Sequence, residues 1–155
     1  MRTCVLCLLL TCATTTASAQ SQYVERADVL PEAAGARTVA VDQVVGTGEE
    51  AIRGRFVVIH YEGWVHDLKA PDRKGVKFDS SRDRGQTLSV LVGVNRMITG
   101  LDRGILGMRV GGKRTLLVPP KLGYGTRLAY GEVPPNSTLL FEIELFDVVP
   151  EQNVP

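Results

Sequence analysis

The sequence predicts an α+β fold, an antiparallel β-sheet wrapped on one short α-helix. Three observations carry that expectation. The 155 residues include 16 glycines and 8 prolines, a turn-rich composition that suits short strands better than a helical bundle. Several segments show β-type runs of apolar, β-branched and aromatic residues, and a single segment repeats apolar residues at helical steps. Hydrophobic residues make up 44% of the chain, enough for a core, and the length suits one domain rather than two.

Residues 1–19 differ from the rest. Met1-Arg2 is a short positive start, Cys4 to Cys12 is almost wholly apolar, and small residues lead to Ala17-Ser18-Ala19. This is the layout of a secretory signal peptide with an A-x-A cleavage site. The apolar run falls short of the ~20 residues that a membrane-spanning helix needs, so no stable insertion is expected after cleavage. A lipoprotein processed at Cys12 ranks second, because Thr11 stands where that motif wants Gly, Ala or Ser. The leader holds all three cysteines, so the mature chain has no disulfide framework, zinc–cysteine site or thiol nucleophile. It also removes Arg2 from the 18 basic residues, which leaves as many as the 17 acidic ones. No basic excess favours nucleic acid or an anionic membrane.

Residues 20–37 are polar, alanine-rich and aperiodic, and are expected to be a flexible, protease-sensitive lead-in. The domain is placed at 38–150, with a tail at 151–155. Thr38 to Val45 reads as a strand stopped by Gly46-Thr47-Gly48. Phe56 to Gly63 reads as a largely buried strand, and Asp67 to Val76, charged and holding Pro71 and Gly75, as a loop. Thr87 to Val92 and Arg114 to Val118 are further strands. Met97, Ile98, Leu101, Ile105 and Met108 recur at three- and four-residue steps and predict the helix, ended by Gly111-Gly112. Gly100, Gly104 and Gly107 each cost it about 1 kcal/mol against alanine, so packing on a sheet must hold it. Leu139 to Val149 is the cleanest strand, with Phe141, Ile143 and Leu145 on one face and Glu142 and Glu144 on the other.

Several chemistries recede. His60 lies mid-strand and His66 opens the charged loop, with no carboxylate at ligand spacing, so neither a metal site nor a cofactor is expected. No G-x-S-x-G elbow is present. Gly107 to Lys113 fits the first seven places of a P-loop, yet Arg114 stands where Ser or Thr should hold magnesium, and the segment runs from helix to strand. Asn136-Ser137-Thr138 matches a glycosylation sequon, a short and common motif.

What remains is a set of aromatic and aliphatic residues tied to tight turns. VIHYEG, KFDSSRDRG, the helix followed by MRVGGKR, PPKLGYG and VPPNSTLLFEIEL stand in an order and spacing that resemble the FK506-binding family of prolyl isomerases, from about Val39 to Val149. The resemblance implies a half-open antiparallel sheet wrapped around the helix, with an apolar pocket between them. By matching motif, Tyr61, Phe78, Asp79, Ile98, Tyr124 and Phe141 would line the catalytic pocket. Met97 and Val133 would flank it, Leu101 would form its floor, and Arg84 would orient Asp79; Leu88 stands on the substrate side. The implied partners are proline-containing polypeptides of the export compartment and macrolides of the FK506 kind.

The chain departs from the family pattern at Leu101, where the floor is often tryptophan, and at Leu88, where an aromatic is common. Glu132 replaces a frequent apolar residue, and the 67–76 loop is longer than in the smallest members. Leu101 and Glu132 favour an alternative, a proline-segment binding module or chaperone without useful turnover.

Overall fold

Phe141, Ile143 and Leu145 alternate with Glu142 and Glu144, and such alternation buries one face of a strand. In the computed structural model, which describes residues 37–149, that strand runs Leu139–Val149 with Phe141, Ile143 and Leu145 each at most 2% exposed. The leader at 1–19 with Cys12, all but the end of the 20–37 segment, and the tail at 151–155 lie outside the described residues.

Among the described residues, six strands form one antiparallel sheet around one α-helix. They are β1 (Val39–Val44), β2 (Phe56–His66), β3 (Lys74–Ser80), β4 (Leu88–Leu91), β5 (Lys113–Val118) and β6 (Leu139–Val149), with α1 (Thr99–Ile105) between β4 and β5 in the chain. The order is β1-β5-β6-β2-β3, and β4 also pairs with β2. One edge of β2 is therefore shared. Phe56 to Ile59 faces β4, while Glu62 to His66 faces β3, and Tyr61 lies at the junction. The other edge of β2 pairs with β6 from Phe56↔Val149 to Val65↔Leu139.

The inner face holds the core, where Val57, Ile59, Leu116, Val118 and Leu145 meet Ile105 of α1, all fully buried. Burying each such side chain stabilises the fold by roughly 1.5–3 kcal/mol. The glycines of α1 are explained by this contact. A Cβ at Gly100 would strike Val118 and one at Gly104 would strike Leu116, so the helix lies closer to β5 than alanine would allow. On the outer face Trp64, Leu117 and Leu140 form a smaller cluster, with the Lys74 ammonium 4.3 Å from the Trp64 ring centre.

Three expectations are corrected. The segment 67–76 is a loop only as far as a single 3-10 turn at Pro71–Arg73; Lys74, Gly75 and Val76 already belong to β3. The polar sequence KGVKFDS lacks alternation, and pairing with β2 makes it a strand despite two irregularities in register. β2 is buried on one face rather than largely buried, and it continues to His66, whose N–H donates to the Thr138 carbonyl at 2.9 Å. The helix ends at Ile105, not at Gly111-Gly112. Gly107, at φ 78°, turns the chain there, and Met108 is buried by the link that follows. That link is the P-loop look-alike. Its Arg114 caps the helix, donating to the carbonyls of Gly104 (2.8 Å) and Leu106 (3.1 Å) while gripping Asp42 through Nε and Nη2.

Candidate active site

β2 contributes Tyr61, and the adjoining end of β3 contributes Phe78 and Asp79. The turn after β3 is built on Ser81. Its buried hydroxyl accepts from the Tyr61 N–H at 2.8 Å, donates to the Tyr61 carbonyl at 3.1 Å, and lies 2.9 Å from His60 Nδ1 on the outer face. This turn returns Arg84 over the Tyr61 ring, with 5.6 Å between guanidinium and ring centre.

Tyr61, Asp79 and Arg84 close a triangle. The Tyr61 hydroxyl donates to Asp79 Oδ2 at 2.6 Å and accepts from Arg84 Nη2 at 2.8 Å, and Arg84 Nη1 bonds Asp79 Oδ1. Burial, and next the bond to Asp79, push the Tyr61 hydroxyl up to about 12, against the opposing pull of Arg84. Arg84 is held more firmly protonated by Asp79 and then by Tyr61. The Tyr61 hydroxyl and the Arg84 guanidinium thus keep their protons at pH 7.

Beside it stands an aromatic box. Phe78 meets Phe141 edge-on at 5.7 Å between ring centres and 90° between planes, and meets Tyr124 at 6.2 Å and 84°. The rings cross over Gly63. An added Cβ there would lie 2.8 Å from Phe78 Cζ and 2.9 Å from Phe141 Cε1, so β2 needs glycine at this point. Tyr124 follows the 3-10 turn at Pro120–Leu122, and burial raises its hydroxyl above the usual tyrosine range.

The helix start supplies the third side. Ile98 is the residue before α1, and Met97 precedes it; both are half-buried against the core. Among the described residues nothing accepts the Ile98 backbone N–H. A cleft of about 510 Å³ runs between Met97-Ile98 and Tyr124. Leu101, 6% exposed, and Val133, 1% exposed, belong to the same buried cluster as Tyr61 and Phe141. Leu88 lies on β4 opposite Ile59, diagonal to Tyr61, and packs against the same cluster.

Three contributors were missed from sequence. Asp102, within LDRG, is 2% exposed and accepts from the N–H groups of Gly93 (2.8 Å) and Asn95 (3.0 Å), holding the loop that leads to Met97 and Ile98. Ser81 binds Tyr61 at both backbone groups. Tyr130 packs on Phe78 at 5.6 Å and Tyr124 at 5.8 Å. The remaining signal for Tyr130 was an aromatic before glycine in a loop, and that pattern is weak.

Among the described residues no group of three or more His, Cys, Asp or Glu is placed to hold a metal ion, and no helix is long and apolar enough to cross a membrane. The hydroxyl that stands beside an imidazole, Ser81 next to His60, is fully buried and bonded to both backbone groups of Tyr61, a structural and not a nucleophilic setting. The site brings together the rings of Phe78, Phe141 and Tyr124, the protonated hydroxyls of Tyr61 and Tyr124, and the Ile98 N–H.

This fold and site define a class of small isomerase domain, and sequence comparison gives the family. The profile of the FKBP-type peptidyl-prolyl cis-trans isomerases matches residues 47–146, and the chain belongs to that family of enzymes. It is 47% identical over 103 residues to an FK506-binding protein of Neisseria meningitidis serogroup A, spanning 66% of this chain and 88% of that one. It is 48% identical over 99 residues to the peptidyl-prolyl cis-trans isomerase FKBP10 of Mus musculus, covering 64% of this chain and 16% of that longer protein. The crystal structure of AtFKBP13 superposes with a TM-score of 0.62 at 40% identity, covering 71% of this chain and 91% of the other. FkpA from Escherichia coli gives 0.62 at 36% identity, covering 73% and 48% respectively.

Proposed function

We propose that this isomerase acts on Xaa-Pro bonds of exported proteins, through desolvation in the pocket of Phe78, Phe141, Tyr124 and Ile98. The observation that carries the mechanism is the hydrogen-bonded Tyr61–Asp79–Arg84 triangle set against the crossed rings. Amide rotation is opposed by a resonance barrier of ~18–20 kcal/mol, while the two end states at proline differ by only ≈ 0.5–1 kcal/mol. The twisted transition state has lost resonance and much carbonyl charge separation, so a dry wall binds it better than the planar amide. Phe78 and Phe141 receive the proline ring, Leu101 supports it from below, and Met97, Val133 and Leu88 border the peptide. The Ile98 N–H and the Tyr124 hydroxyl hold flanking carbonyls. Each tenfold acceleration requires about 1.4 kcal/mol of such preference. Macrolides of the FK506 kind suit the same walls, in keeping with the similarity to an FK506-binding protein.

A protease-coupled isomerisation assay on a proline tetrapeptide tests this. Wild type should turn over, and Phe78→Ala should lose activity by a larger factor than it loses thermal stability. A protein that binds the peptide without turnover is a binding module instead. Export rests on the leader at 1–19. Mass spectrometry of the secreted or periplasmic protein should find a chain beginning at Gln20; a cytosolic chain retaining Met1 refutes export, and a lipid on Cys12 makes the protein a lipoprotein.

A further inference from the structure

The two ends of the sheet are built differently. At one end β3 carries Lys74, Gly75 and Lys77 and pairs with β2 across two irregularities in register. Charged side chains and irregularities of this kind keep an edge strand from pairing with another chain. At the other end, among the described residues, β1 has β5 as its one neighbour, and the backbone from Val39 to Asp42 pairs with no other segment. That pairing is regular from Val39↔Leu117 to Asp42↔Arg114, and the register shifts only beyond it. Thr38 to Val41 carries no charge, and the Asp42 carboxylate is turned back onto Arg114 of its own sheet. Val41 is 42% exposed.

We propose that this edge is a self-association surface, on which a second copy of the chain lays its own β1 antiparallel to the first. The occupant follows from the sequence of the edge. Two strands related by a two-fold axis normal to the sheet set outer-face residues opposite outer-face residues. Val39 and Val41 lie on the outer face, in the rows of Leu117 and Thr115, while Ala40 and Asp42 lie on the inner one. With Ala40 on the axis, Val39 stands opposite Val41 of the copy, twice by symmetry, and Asp42 stands opposite Thr38. Such β-branched pairs are favourable. Val39 already packs on the cluster of Trp64, Leu117 and Leu140, so Val41 of the copy extends that apolar row across the axis. Centring on Val41 instead leaves one valine pair and sets Val39 opposite Gln43. Centring on Asp42 sets two carboxylates face to face, which is unfavourable. Pairing along one short strand falls below the ~1,200 Å² that a stable complex buries, so the dimer is reversible and depends on concentration.

The test uses the chain from Gln20 to Pro155, which contains no cysteine. Sedimentation equilibrium over a wide range of concentration should show wild type passing from monomer to dimer. Val41→Lys should weaken dimerisation about tenfold, because symmetry counts the lost pair twice. Its circular dichroism and peptide turnover should stay those of wild type, since Val41 lies on the face away from the pocket. Ala40→Cys places a single thiol on the axis. Opposed Cα atoms of an antiparallel pair stand about 4.5–5.5 Å apart, within the span of a disulfide. On mild oxidation this variant should cross-link faster than Ile52→Cys, a control at another exposed position.

A wild type that stays monomeric at its highest soluble concentration overturns the proposal, and so does a Val41→Lys variant that dimerises as wild type does. A chain beginning at Arg37 that dimerises when the chain from Gln20 does not assigns the edge to residues upstream, which overturns it as well. Equal cross-linking of the two cysteine variants overturns the pairing centred on Ala40.

Discussion

The Tyr61 hydroxyl gives its one proton to Asp79 and accepts from Arg84, so its ionisation is coupled to the site. In the folded chain it titrates near 12, above the ordinary value of 10.0. The folded state then holds a proton that the unfolded chain has lost between those values. The stabilisation is fully present below pH 10 and disappears as pH rises through about 12. Thermal melts of wild type and Tyr61→Phe across this range should converge at the alkaline end, whereas a constant gap would refute the shift. Leu101 carries a second prediction. An indole offers more flat contact area than leucine, so Leu101→Trp should tighten macrolide binding severalfold and change peptide turnover less, by calorimetry and the coupled assay. Turnover appearing only in the tryptophan variant would assign the wild type to proline binding without catalysis. The residues of the triangle and the box were legible because their turn motifs are distinctive. Asp102 was not, since burial of a carboxylate follows from the Gly93–Asn95 loop folding back onto it, which no local pattern records.

At the level of elements, β6 could be read directly, because Phe141, Ile143 and Leu145 face the core and alternate with Glu142 and Glu144. β3 could not, since its identity rests on pairing with β2 across two irregularities. The helix was read too long because Met108 continues the apolar spacing after the backbone has turned at Gly107. Gly63 shows how element and site are joined: the strand must be bare there for Phe78 and Phe141 to cross. Gly63→Ala should force the rings apart, costing about 1–3 kcal/mol of stability as overpacking typically does. Activity should fall further than that loss explains, as judged by the coupled assay at a temperature where the variant is fully folded. Retained turnover would mean that the crossing of the rings is not needed.

For the molecule as a whole, the boundary near residue 37 can be tested. Thr38 donates to the Gly100 carbonyl at 3.4 Å, and β1 pairs with β5 along its length. A chain beginning at Arg37 should keep the wild-type melting temperature and turnover, while one beginning after Val44 should expose the β5 edge and melt lower. Equal loss in both would put structure upstream of the boundary. The pairing of β2 with β6 has a consequence of another kind, in time. Phe56 faces Val149, and β6 fills the middle of the sheet between β5 and β2. Contacts so far apart in sequence slow folding, because the intervening chain must be ordered before they form. During synthesis β2 waits for a partner made much later, and β5 has only β1 beside it. The nascent chain therefore cannot close its sheet until its last described strand arrives.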